Sequence, residues 1–167
     1  MKLILSILLS LLSFLSFGQS SRSDSITKLK SSLVIKFIVD NLETKIGSGV
    51  CSELLIGAEE YLNKFGLGDD SMFVIDSADV RVGDIIIFDK VIFSDGSTLD
   101  NHAGIVYSIE PKGTLSYANQ NVATKKRNTK KIKYQGRKVK VEKDSHVIIS
   151  YLYLPSVVNG KIIFCRF

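Results

Sequence analysis

The chain has 167 residues, with 22 Lys and Arg against 17 Asp and Glu, a formal net charge of +5, and two cysteines. This is the length of one ordinary domain, with no internal repeat, long linker or second apolar span, and two cysteines exclude the disulfide framework of small secreted folds. The positive balance favours anionic surroundings such as a cell wall, lipid headgroups or another polyanion.

In chain order, Lys2 precedes an apolar run from Leu3 to Phe17 broken only by serines, and Ser16-Phe17-Gly18 offers small residues at a cleavage site. The run is shorter than the roughly 20 apolar residues of a membrane span and gives way to Gln19-Ser20-Ser21-Arg22, so residues 1–18 read as a secretory signal peptide. The expectation is a secreted or periplasmic protein, cleaved after Gly18, with one domain over residues 19–167 and no remaining transmembrane span. No cysteine lies near that site to accept a lipid.

From Ser25 to Lys45, Ile26, Leu29, Leu33, Phe37, Val39 and Leu42 recur at mostly helical spacing, which predicts an amphipathic helix capped by Ser25. Gly47-Ser48-Gly49 breaks it, a second helix is expected from about Cys51 to Phe65, and Gly66 and Gly68 end that one. Short β-rich runs follow at residues 73–75, 84–88, 104–109, 114–117, 139–141, 147–154 and 161–167, with Pro111-Lys112-Gly113 as a hairpin turn. Two helices followed by antiparallel strands is an α+β order. The basic segment 125–140, from Lys125-Lys126-Arg127 through Arg137, Lys138 and Lys140, has too few aromatics for a specific nucleic-acid reader. It reads as a charged hairpin or edge strand, with contact to an anionic wall surface as the second reading.

Cys51 stands at the first turn of the second helix, where backbone N–H groups and the helix dipole favour a thiolate. Its other readings are a small buried hydrophobe or a disulfide with Cys165. His102 opens a strand-like run, whereas His146 follows Lys143-Asp144-Ser145 and reads as a surface residue. A cysteine nucleophile needs an imidazole and an acceptor to orient it. In the next strand Asn119 and Asn121 share one face and Gln120 takes the other, and strand alternation leaves the choice between the two asparagines open. No cluster has zinc-ligand spacing, so neither metal nor cofactor is expected.

Lys45-Ile46-Gly47-Ser48-Gly49-Val50-Cys51-Ser52-Glu53-Leu54, Val82-Gly83-Asp84-Ile85-Ile86-Ile87-Phe88, His102-Ala103-Gly104-Ile105-Val106 and Tyr117-Ala118-Asn119-Gln120-Asn121-Val122 occur in an order and spacing that resembles the CHAP-like cysteine amidohydrolases of the NlpC superfamily. The likeness extends to related cysteine-proteinase-fold domains and covers residues 26–122. It implies a papain-like fold, with N-terminal helices packed on an antiparallel sheet or partly open barrel. It further implies Cys51 as nucleophile, His102 as base, Asn119 as orienting residue, Asn121 as a second polar position and Gly83-Asp84 as a structural turn. Ser52 stands where many relatives carry a bulky aromatic, and the acidic third residue common in CHAP enzymes is an amide here. The resemblance and the leader together suggest a monomeric peptidase acting on amide bonds in peptidoglycan. A non-catalytic binding module of the same fold, carrying a Cys51–Cys165 disulfide, is the alternative.

Overall fold

A computed structural model of the chain describes residues 23–68, 71–121, 129–134, 137–142 and 145–167. The expected signal peptide, its cleavage site and the basic residues 125–128 lie outside the described residues. Helix α1 covers residues 23–40 and α2 covers Cys51–Asn63. The strands are β1 (Phe73–Ile75), β2 (Ile85–Phe93), β3 (Thr98–Leu99), β4 (His102–Glu110), β5 (Thr114–Asn119), β6 (Thr129–Tyr134), β7 (Arg137–Glu142), β8 (Ile148–Tyr153) and β9 (Val157–Arg166). The α+β expectation and the packing of helices on an antiparallel sheet hold. Seven strands form the sheet in the order β1-β9-β2-β4-β5-β8 with β3 beside β2, and β6 pairs with β7 in a separate basic hairpin.

Helix α1 stops five residues before the expected Lys45. Leu42 leaves the helical path to bridge Val147, whose N–H and C=O are taken by the backbone of Thr44 and Glu43, and the turn requires Glu43 at φ +59°. Tertiary pairing here overrides apolar periodicity. Helix α2 ends as glycine requires, with Gly66 at φ +67° and the Leu67 N–H returning to the Leu62 carbonyl. Strands β2 and β9 run longer than their apolar segments suggested, because a bulge between Asp89 and Ile92 lets them pair beyond the flat part of the sheet.

One face of the sheet meets the helices: Ile85, Ile105, Ala118 and Cys165 pack with Val34, Ile38, Leu54, Ala58 and Leu62. Each fully buried Leu or Ile there contributes about 1.5–3 kcal/mol. The other face carries its own core of Ile86, Phe88, Val106, Leu115, Tyr117, Leu152 and Phe164. Chain geometry explains how that second face is covered. β8 and β9 stand four strand spacings apart, about 19 Å in a flat sheet, yet only residues 154–156 link Tyr153 to Val157, a reach of at most about 14 Å. The sheet is therefore curled, without closing, around the second core.

Asp84 anchors the start of β2. Nearly buried, its carboxylate accepts from Arg166 Nε and a terminal nitrogen at 2.8 Å each and from the Arg81 N–H at 2.7 Å, a bidentate pairing of matched planar groups. Gly83, at φ +93°, lies where a Cβ would come 3.0 Å from the Ser31 backbone of α1. The Gly83-Asp84 turn is thus structural, docking α1, β2 and β9 together. Replacing Arg166 with Met leaves a buried carboxylate without its cation and should cost about 3 kcal/mol, read as a fall in ΔG from urea denaturation; Arg166→Lys, which keeps charge but loses the fork, should fall between.

Candidate functional site

The loop that delivers Cys51 is built from unusual backbone. Gly47 (φ +55°) and Gly49 (φ +90°) take left-handed turns that side chains rarely adopt, and a Cβ on Gly47 would collide with the Glu53 carboxylate. Glu53 reaches back from the first turn of α2 to the Ser48 N–H and hydroxyl, closing the loop on itself. From outside, the Ser145 hydroxyl donates to the Gly49 carbonyl at 2.9 Å.

The tightest restraint comes from Gln120. It is fully buried, its amide nitrogen donates to the Val50 carbonyl at 2.7 Å and the Ile46 carbonyl at 3.3 Å, and its oxygen accepts from the Ile46 N–H at 3.3 Å. Strand alternation correctly sends it away from Asn119, but its role was not read from the sequence. The available clue was a large amide directly after a strand, which needs backbone partners if buried.

Cys51 is the first residue of α2, 8% exposed, against Val50 and Ala103. Its Sγ lies 4.0 Å from the Asn101 carbonyl oxygen, and the amides of Ala103, Ser52 and Cys51 itself favour the thiolate. Burial outweighs them and raises the thiol above its ordinary value. The helix N-terminus acts in the expected direction, but desolvation decides the sign. Cys51 and Cys165 are both free thiols. Cys51 packs by Ala103 of β4, and Cys165 lies in β9 on the other side of β2, so the alternative disulfide between them is not formed.

His102 is 6% exposed and lies opposite Phe88, with ring centroids 6.0 Å apart. It shares a sheet face with Gly104, Tyr117 and Asn119. Gly104 is required there, since a Cβ would stand 2.5 Å from the Ala118 carbonyl oxygen and 2.7 Å from the Tyr117 ring. Burial lowers the His102 pKa below the ordinary value, and the Asn119 side chain works against that shift. Asn119 Nδ2 donates to Ser150 Oγ at 2.9 Å and to the Tyr117 carbonyl at 3.3 Å. Its Oδ1 and His102 Nε2 are buried atoms with no hydrogen-bond partner of ordinary geometry among the described residues. Of the two asparagines, Asn119 is the one beside His102; Asn121 follows the end of β5 in left-handed backbone at φ +65°. His146 is exposed, as expected.

The structure thus brings His102 and Asn119 together and carries Cys51 to the backbone flanking His102. Sγ packs by Ala103 on the helix face while the imidazole packs by Phe88 on the other face, and no hydrogen bond joins them. At rest both groups favour their neutral forms. No protein-family model matches the chain, and no curated protein matches it.

Two measurements probe this geometry. Gln120→Met keeps the volume but strands the buried Val50 carbonyl and the half-buried Ile46 backbone, so it should cost about 2 kcal/mol in urea denaturation and speed alkylation of Cys51 several-fold in a Cys165→Ala background as the loop loosens. For His102, the folded pKa lies below the unfolded 6.5. Between those values the unfolded chain binds the extra proton, so stability is full above pH 6.5 and falls as pH drops towards the folded pKa. Urea midpoints from pH 7.5 to 5 should decline more steeply in the native chain than in His102→Gln.

Proposed function

We propose that the protein is an exported cysteine amidohydrolase with a papain-like arrangement, cutting an amide or peptide bond in peptidoglycan. The observation that carries this reading is convergence. Residues 102 and 119, far apart in sequence, stand side by side on one face of the sheet, and Cys51, at a helix N-terminus, packs against Ala103, the residue after His102, on the other face. The resemblance described above supplies the substrate class, and the leader and net positive charge are consistent with work at an anionic wall. Basic residues of the β6–β7 hairpin would hold the protein there.

In this reading the resting site holds a thiol and a neutral imidazole rather than a preformed ion pair. Turnover requires the His102 ring to leave Phe88 and turn round the end of the sheet to face Sγ, a rearrangement that substrate binding would have to drive. His102 takes the Cys51 proton as sulfur attacks the carbonyl carbon, and the oxyanion is met by N–H groups at the start of α2, each worth about 3 kcal/mol. The imidazolium then protonates the leaving nitrogen as the C–N bond breaks. Water, deprotonated by His102, attacks the thioester, and Cys51 leaves as the thiol. In the rearranged site Asn119 Oδ1, unpartnered at rest like His102 Nε2, would accept from Nε2–H and fix the tautomer that places Nδ1 towards sulfur.

A second reading, a binding module of the same fold without turnover, is favoured by the missing bond between Sγ and imidazole and by burial that keeps both groups neutral. Release of new amino groups from purified peptidoglycan, under reducing conditions, separates the two. The amidase should lose all activity in Cys51→Ala, about 10²- to 10⁴-fold in His102→Ala, and less in Asn119→Ala. Retention on the wall by native protein and Cys51→Ala alike, with no amine released by either, would establish the binding module instead.

A further inference from the structure

Between the β2–β3 hairpin and β8 runs a groove of about 770 Å3 whose lining includes none of Cys51, His102 and Asn119. Residues 93–99 form one wall, Tyr151, Leu152 and Tyr153 the other, and Tyr117 contributes to the lining between them. It is the seam left where the curled sheet fails to close. β8 is an edge strand that pairs only with β5 among the described residues, so about half of its backbone N–H and C=O groups point away from the sheet.

Exposed sheet edges are ordinarily guarded by lysine, proline, inward charges or bulges. β8 has none of these: Ile148-Ile149-Ser150-Tyr151-Leu152-Tyr153 carries no charge and no proline, and its pairing with β5 is regular along its whole length. The lack is selective, since β6 and β7 are dense in Lys and Arg. Tyr151 is 75% exposed and Tyr153 52% exposed, which leaves two large rings in solvent along the unguarded strand. The groove's charge content is equally specific. In a chain of net charge +5 its lining holds no Lys or Arg, and its single carboxylate, Asp95, is already engaged by the Ser97 N–H and hydroxyl. The remaining polar lining is uncharged, including Ser94, Thr98 and Ser156.

We propose that this seam is a peptide-binding site in which an extended, uncharged polypeptide segment of a partner adds to the free edge of β8 as a further strand, covering Tyr151 and Tyr153. Backbone hydrogen bonds to β8 supply the affinity and the side chains alternating towards the hairpin wall supply selectivity. An anionic ligand would find no counter-ion in the lining, a cationic one only the Asp95 carboxylate that Ser97 already engages, and the outward backbone groups of β8 match a strand better than any other ligand shape. The site is independent of the Cys51 chemistry.

The test uses the full mature chain carrying Cys51→Ala, so that no probe is cleaved. An array of uncharged decapeptides alternating Val or Tyr with Ser or Thr is screened, and the tightest binder is remade with N-methyl groups on alternate residues. Binding should weaken by roughly tenfold or more on N-methylation along one edge and in Tyr151→Lys, an exposed substitution that keeps the fold and installs the missing guard. Amide exchange resolved by residue should slow at 148–153 in the complex. Binding that ignores both changes, protection elsewhere, or no binding by any array member at millimolar concentration would overturn the proposal. So would slowed exchange at β8 in a self-associated form of the protein without peptide, which would assign the edge to a second copy.

Discussion

The side-chain amide of Gln120 is the constraint on which the local architecture depends. A fully buried amide in an apolar interior must find partners or cost several kcal/mol, and Gln120 finds all of its own on the loop that delivers Cys51. Two parts of the chain with no local reason to meet are thereby held together: the end of β5, where Asn119 stands beside His102, and the left-handed turns before α2. Ser145 and Glu53 add restraint from either side, and the pairing of residues 42–44 with Val147 shortens α1 so that the loop can approach the sheet.

With the loop fixed, electrostatics follow from burial. Cys51 sits deep enough for desolvation to exceed the help of the three backbone amides, two at the start of α2 and one at Ala103, and its pKa is raised. The same burial acts on His102 in the opposite chemical sense, suppressing its protonation. A neutral pair is the common outcome. Tyr117, pushed up to about 12 by burial, keeps its phenol protonated at the same face, so the interior behind His102 holds polar but uncharged groups.

Curling of the sheet sorts the molecule into regions. One face receives the helices and the thiol, the other wraps around an apolar core with His102 at one end, and the seam remains between the β2–β3 hairpin and β8. The short link from Tyr153 to Val157 enforces this shape, and the Asp84–Arg166 pair holds β2 and β9 in the register that it demands. The lysines and arginine of β6 and β7 stand in a separate hairpin, away from the pairing of the main sheet.

The α+β order, the two helices, the hairpin turn at residues 111–113 and the opposed directions of Asn119 and Gln120 were legible from the residues alone, because helical and strand periodicities and glycine breaks are local properties of the chain. The sequence also marked Cys51 at a helix start and His102 at a strand start. Tertiary structure alone decided that Asn119 rather than Asn121 stands by the imidazole, since only pairing with β4 and β8 tells where β5 ends. The partnership of Gln120 with the loop 74 residues upstream, the bidentate grip of Arg166 on Asp84, the bulge that lengthens β2 and the curl that opens the seam are likewise contacts between distant segments, without a periodic trace. Most consequentially, the sign of the Cys51 shift turned on how much protein surrounds the sulfur, and burial is a property of the packed molecule that no spacing of residues records.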